Sequence, residues 1–248
     1  MKKIISPLLL LTFVFSTACL TSCGRKQENG EPMDMKLGIG VHTDTVTQSA
    51  TGDKNGALEA VHTVAAVVLD TNGKIVKCML DAIESSVAFT KDGKGIATGE
   101  FKSKRELGDS YVMSTDASKL KWYQQADAFA KLCEGKTVEE VKDLVGSGGK
   151  GNQDVISSGC TIVVSEFALA IEKSATDLKQ FTAPVPTAIK LKLAVQTKAT
   201  DAKSDTSGAA EIVCKATASL DGSDNSASVE KSEKASVSFN SSGVIHNK

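Results

Sequence analysis

Ser157, Ser158, Gly159, Cys160 and Thr161 stand together inside the stretch GNQDVISSGCTIVVSEFALAIEKS. Small residues crowd up to one threonine hydroxyl. Directly after it Ile162, Val163, Phe167, Ala168, Ala170 and Ile171 recur at helical spacing, with Lys173 near the end. On this reading Thr161 lies at the mouth of an amphipathic helix. Unpaired backbone N–H groups and the helix dipole make such a place attractive to an anion. Gly159 has no side chain to obstruct a phosphate, and a hydroxyl there is itself open to phosphoesterification. The plainer reading makes the hydroxyl an N-cap that satisfies one of those N–H groups. Other chemistries find no support. The G-x-S-x-G pattern is absent, His42, His62 and His246 are near no serine–acid pair, and no zinc, calcium or P-loop spacing occurs. The site residues expected here are Thr161, Gly159 and Ser158, with no metal and no catalytic side chain.

The elements that must position Thr161 are legible around it. Residues 145–154, VGSGGKGNQD, form a glycine-rich loop with little rigidity of its own. Trp122, Ala126, Phe129 and Cys133 make one helical face that ends at Gly135, with Trp122 and Phe129 read as core. Thr137 and Glu140 fit a capping box that opens a second, short helix bearing Val138, Val141, Leu144 and Val145. Upstream, 36–47, 57–70, 75–82 and 86–90 have strand composition, with a turn at Asp70–Lys74 and another at 91–94. In 75–82 the alternation places Val76, Cys78, Leu80 and Ala82 on one face and Lys77 and Asp81 on the other, as in a half-buried hairpin strand. The order of strands, then helices, predicts an α+β fold, an antiparallel sheet with helices packed against it.

A repeat runs through the chain at an offset of about 150 residues. KLKLAVQT (190–197) echoes KLGIGVHT (36–43), Leu220-Asp221 matches Leu69-Asp70, and Phe239 and Gly243 match Phe89 and Gly93. The second copy has no counterpart of the helical segment, so it reads as a truncated β-rich repeat. The expected organisation is a signal segment 1–22, a lipidated N-terminus and tether 23–35, a first domain 36–173, a linker 174–189 and a partial repeat 190–248.

The N-terminus carries Lys2 and Lys3, an apolar run Ile4–Ala18, then Leu20-Thr21-Ser22-Cys23-Gly24. This resembles a bacterial lipobox, which implies cleavage before Cys23 and a diacylglyceryl anchor on it, two acyl chains being enough for stable attachment. The expected location is the outer face of the cell membrane. The mature chain would carry a net charge near −3, so no nucleic-acid partner is expected. Cys78, Cys133, Cys160 and Cys214 form no C-x-x-C pair and are read as thiols, with a disulfide permitted outside the cell but not assignable from spacing.

The SGCT motif resembles the attachment signature of FMN-binding domains, Asp-x-x-(Ser/Thr)-Gly-Ala-Thr. Here Cys160 stands for the alanine, and Asp154 lies seven residues before Thr161 rather than six. The resemblance implies an FMN whose phosphate is esterified to Thr161 by a separate magnesium-dependent flavin transferase, with Asp154 as the upstream acid. Residues 101–113, 121–142 and 157–174 are further similar to the flavinylated, pheromone-encoding electron-transfer lipoproteins of Gram-positive bacteria. Tyr111, Met113 and Trp122 fall in these segments and are candidates for contact with the isoalloxazine ring. The implied role is an electron carrier, rather than a stand-alone enzyme, between a membrane quinone-linked NADH dehydrogenase and an extracellular acceptor. The alternative is a cofactor-free surface lipoprotein that acts as a binding module, with a peptide pheromone released from its signal segment.

Overall fold

A computed structural model describes residues 32–92, 94–96, 101–113, 120–183, 189–203, 207–221 and 227–246. The signal segment, Cys23, the pheromone reading, Gly93 and the two linker prolines lie outside these residues. Three long strands, β1 (Met33–Gln48), β2 (Gly56–Leu69) and β3 (Ile75–Phe89), form an antiparallel meander. The short β4 (Gly95–Ile96) adds to β3, and β5 (Lys179–Ala183) adds to β1, giving the order β4-β3-β2-β1-β5. The β2–β3 turn closes as its residues dictate: the Asp70 carboxylate accepts the N–H groups of Asn72 and Lys74, both at 2.8 Å, and Gly73 takes a φ of +77°.

Helices α1 (Lys104–Leu107), α2 (Trp122–Cys133), α3 (Val138–Val141), α4 (Gln153–Ser157) and α5 (Ser165–Ser174) follow β4. Trp122, Ala126, Phe129 and Cys133 are all buried, and their shared face meets Ala65, Val67, Leu80 and Ala82 of the sheet. The capping box is present: Thr137 Oγ1 accepts the Glu140 N–H, and the Glu140 carboxylate accepts the Thr137 N–H at 2.7 Å. α5 lies close on β1 because Gly38 and Gly40 leave room. A Cβ on either glycine would sit about 2 Å from the carbonyl oxygens of Ser174 or Ala170.

Strands β6 (Lys190–Lys203), β7 (Ser207–Asp221) and β8 (Ser228–Asn240) form a second antiparallel sheet, the repeat seen in the sequence. It covers the other face of the first sheet, so the protein is α+β in three layers: helices, five strands, three strands. The two copies meet through equivalent residues. Phe89 and Phe239 stack with centroids 4.0 Å apart and planes 5° from parallel. Each ring occupies the space above a glycine on the neighbouring strand, Gly56 for Phe89 and Gly208 for Phe239. Both rings are fully buried, so Phe239→Ala is expected to cost about 3–5 kcal/mol in urea denaturation. Doubling it with Phe89→Ala should cost less than the sum of the two.

The second sheet changes two readings of β3. Asp81 is not on a solvent face; it is 3 % exposed, and its carboxylate accepts the N–H groups of Ala82 (2.8 Å) and Arg105 (3.1 Å). Burial pushes its carboxyl up despite those bonds and the Ser103 hydroxyl. Val76 does not share a face with Cys78, Leu80 and Ala82. The register shifts at Val68/Leu69, and the displaced Val76 packs toward the second sheet. The stretch 174–189, expected as linker, supplies β5, whose Ala183 and Phe181 join the inter-sheet core.

One histidine is sealed between the sheets. His62 has no exposed surface; Nδ1 pairs with the Thr43 hydroxyl at 2.8 Å, and among the described residues Nε2 has no hydrogen-bond partner. Burial lowers its pKa to about 4. The folded protein therefore binds this proton less readily than the unfolded chain. Its contribution to stability is complete above pH ~6.5, is lost as the pH falls, and levels off below the folded value, about 3 kcal/mol in all. Asp81 titrates in the opposite sense. The His62 contribution is therefore read as the difference between wild type and His62→Leu in urea titrations from pH 7 to 4, the variant losing less stability on acidification.

Candidate functional site

The Ser157–Thr161 segment does not sit at the mouth of a helix. α5 begins at Ser165, and its N-cap is Val164, which makes no side-chain cap. Ser157 instead ends α4, whose start is capped by Asn152, its side chain accepting the N–H groups of Asp154 (3.0 Å) and Val155 (3.2 Å). Ser158 is the C-cap, and its hydroxyl donates to the Val155 carbonyl at 2.7 Å. Gly159 then turns the chain with a φ of +94°, and a Cβ there would also press on Leu120 at 2.7 Å. The cue was an Asn before a short polar–apolar run and a Gly after it, the two ends of a helix hidden in a glycine-rich context. Cys160 is fully buried and anchors the loop to the helical core.

Thr161 is held from below. Gln125, in the first turn of α2 and with no exposed surface, offers its side-chain oxygen to the Thr161 N–H at 2.8 Å, the Ile162 N–H at 3.3 Å and the Thr161 hydroxyl at 3.3 Å. Its amide nitrogen donates to the Leu120 carbonyl (3.1 Å) and approaches the Met113 sulfur (3.8 Å), which fixes the orientation of the amide. On the far side the glycine-rich loop docks on the same segment. The Val164 N–H donates to the Gly149 carbonyl at 2.8 Å, and Lys150 pairs with Val163.

Above Thr161 opens a cavity of about 520 Å³, within the range of small-molecule sites. Its floor is the sheet, through Val61, Thr63 and Ala82; its walls include Tyr111, Met113, Trp122 and Phe167. The Trp122 ring meets Tyr111 edge-on at 6.4 Å and Phe167 edge-on at 5.8 Å. Lys104 Nζ lies 4.8 Å from the Tyr111 centroid and 5.4 Å from that of Trp122, and bonds to Glu84 at 2.6 Å. Tyr111 also donates its hydroxyl to Glu84 at 3.1 Å. Burial pushes the Glu84 carboxyl up, but the Lys104 ammonium and the Tyr111 hydroxyl more than offset it and hold it below the usual range. Lys150, Asp44 and Glu166 complete the polar rim.

Of the residues expected at the site, Thr161 lines this cavity, as do Tyr111, Met113 and Trp122. Ser158, Gly159 and Asp154 do not; the first two shape the loop, and Asp154 is exposed on α4. Sequence reasoning missed Gln125, Lys104, Glu84 and Lys150. Gln125 left a trace: three residues after Trp122 and four before Phe129, it is a polar residue within a buried stripe, which marks a side chain with internal partners. Among the described residues no group of three or more His, Cys, Asp or Glu side chains is placed to hold a metal. No family model, no curated protein and no solved structure matches the chain.

Proposed function

We propose that the protein is an extracytoplasmic electron carrier, anchored to the membrane through lipidated Cys23, that holds one FMN esterified through its phosphate to Thr161. The observation that carries this reading is the position of the Thr161 hydroxyl. It lies on the edge of a cavity walled by three aromatic rings and a methionine, the kind of slot that takes a flat aromatic ligand. Thr161 Oγ1 forms the new P–O bond as the pyrophosphate bond of FAD breaks, its proton is lost, and AMP leaves. A separate magnesium-dependent flavin transferase would perform this step, reading the exposed Asp154.

The chain's own residues fit such a group. Trp122 and Tyr111 offer apolar ring contact, Lys104 and Glu84 a fixed polar pair, and Lys150 a positive charge beside the Thr161–Val163 segment. Bound flavin supplies the ability to take up and release electrons one or two at a time. The electrons would arrive from a membrane quinone-linked NADH dehydrogenase and leave to an extracellular acceptor. The fold of the attachment domain is then FMN-binding-domain-like. A single flavin is expected, because the second sheet turns Lys192, Gln196, Lys215, Ser232 and Lys234 outward and carries no helical layer among the described residues.

The test is peptide mass spectrometry of the protein co-produced with a flavin transferase. An FMN adduct on the peptide containing Thr161 is the expected result. A chain with no adduct, from cells in which the transferase modifies a control substrate, overturns the flavin reading and leaves a cofactor-free binding module.

A further inference from the structure

The start of β3 and the end of α2 run alongside each other, rung by rung. The Gly135 N–H donates to the Ile75 carbonyl and the Ile75 N–H to the Lys136 carbonyl, both at 2.8 Å. Lys77 Nζ and the Glu134 carboxylate form the next pair at 3.8 Å. The following rung is Cys78 with Cys133. The Cys78 side chain meets that of Cys133, both are free thiols in this structure, Cys133 has no exposed surface, and the half-buried Cys78 packs against the same helical core. Cys160 and Cys214 sit elsewhere, one beneath the Thr161 loop and one between the two sheets.

We propose that Cys78 and Cys133 are joined by an intramolecular disulfide in the exported protein. This rests on the export part of the reading above and not on the flavin. Each thiol gives up one proton and one electron. The two electrons pass to the disulfide of an incoming oxidant, a thiol oxidoreductase or a small organic disulfide, which leaves as two thiols. In the folded protein the contact with Cys133 and burial hold the Cys78 thiol well above its ordinary pKa, leaving almost no thiolate to exchange. With Cys133 fully buried and Cys78 half-buried, the bond once formed is largely shielded from reductants. It closes the segment that carries Lys104, Tyr111, Met113 and Trp122, and so fastens the cavity wall at both ends.

The test uses the full-length protein made with its own signal segment and recovered from the membrane fraction. It is denatured without reductant, alkylated and digested. The expected result is a linked Cys78–Cys133 peptide pair, alkylation of Cys160 and Cys214 alone among the four, and an unfolding midpoint on the order of 10 °C above that of the same protein reduced. Lipid on the Cys23 peptide reports export independently. Lipidated protein with all four thiols alkylated, or with another pair linked, overturns the disulfide and leaves export standing. Unlipidated cytosolic protein with four alkylated thiols overturns both. Either result is independent of whether Thr161 carries flavin.

Discussion

Thr161→Ala is expected to reduce covalently bound flavin to background, and Thr161→Ser to retain it. On a denaturing gel under ultraviolet light the wild-type band fluoresces, the alanine variant is dark, and the serine variant fluoresces. The reason is chemical: the ester needs a hydroxyl at this one place. The neighbouring hydroxyls are not equivalent, since Ser158 is bonded to the Val155 carbonyl and neither it nor Ser157 lines the cavity. Thr161 is only half-buried, so removing its hydroxyl should change folding stability by less than about 1 kcal/mol. A melting curve then separates loss of attachment from loss of fold. The cavity walls remain in the alanine variant, so flavin added to the folded protein should still bind, reversibly, and wash out on denaturation. A fluorescent alanine variant would move the attachment to another residue and sink the assignment.

The fold was legible where local patterns and burial agree. The strands around the Asp70–Lys74 turn, the apolar face of α2 and the Thr137 capping box follow from spacing alone, and each is present. What could not be read was the second layer. Asp81 looks like the wet side of a half-buried strand until the repeat folds over it, and nothing local in IVKCMLDA announces a sheet encoded some 110 residues later. The equivalence of Phe89 and Phe239 was visible as a repeat, but their stacking follows only from placing the copies face to face. At the site, the threonine was legible and its setting was not. Ser-Ser-Gly before an apolar run reads equally as the start of one helix or the end of another, and the φ of Gly159 decides it. The cavity draws Val61 and Thr63 from β2, Lys104 from α1 and Trp122 from α2, a convergence that no single window of sequence contains.

Gln125 is where the helical core and the attachment loop meet, and its replacement tests that link. One carbonyl oxygen receives three donors: two backbone N–H groups and the Thr161 hydroxyl. Gln125→Ala leaves the two N–H groups and the Leu120 carbonyl without this partner in an interior position, and opens a small void beneath the loop. Each hydrogen bond so lost costs about 1–3 kcal/mol. With some relaxation toward solvent, the loss in urea denaturation should be on the order of 4 kcal/mol. Gln125→Glu keeps the accepting oxygen but removes the donor to Leu120 and brings a charge inside, so it should not restore wild-type stability. The consequence for attachment is sharper than the loss of stability. Without the clamp the Thr161 loop samples orientations in which the hydroxyl leaves the cavity edge. At a temperature where the variant is still folded, transferase-catalysed loading should slow by about tenfold or more. The defect should fall in kcat and spare the KM for the protein, because the exposed surface of α4, where the proposed transferase would dock, is unchanged. A rise in KM with kcat intact would mean that Gln125 matters only for the stability of the docking surface. An unchanged rate would mean that the loop holds its shape through Cys160 and the Gly149 contact alone.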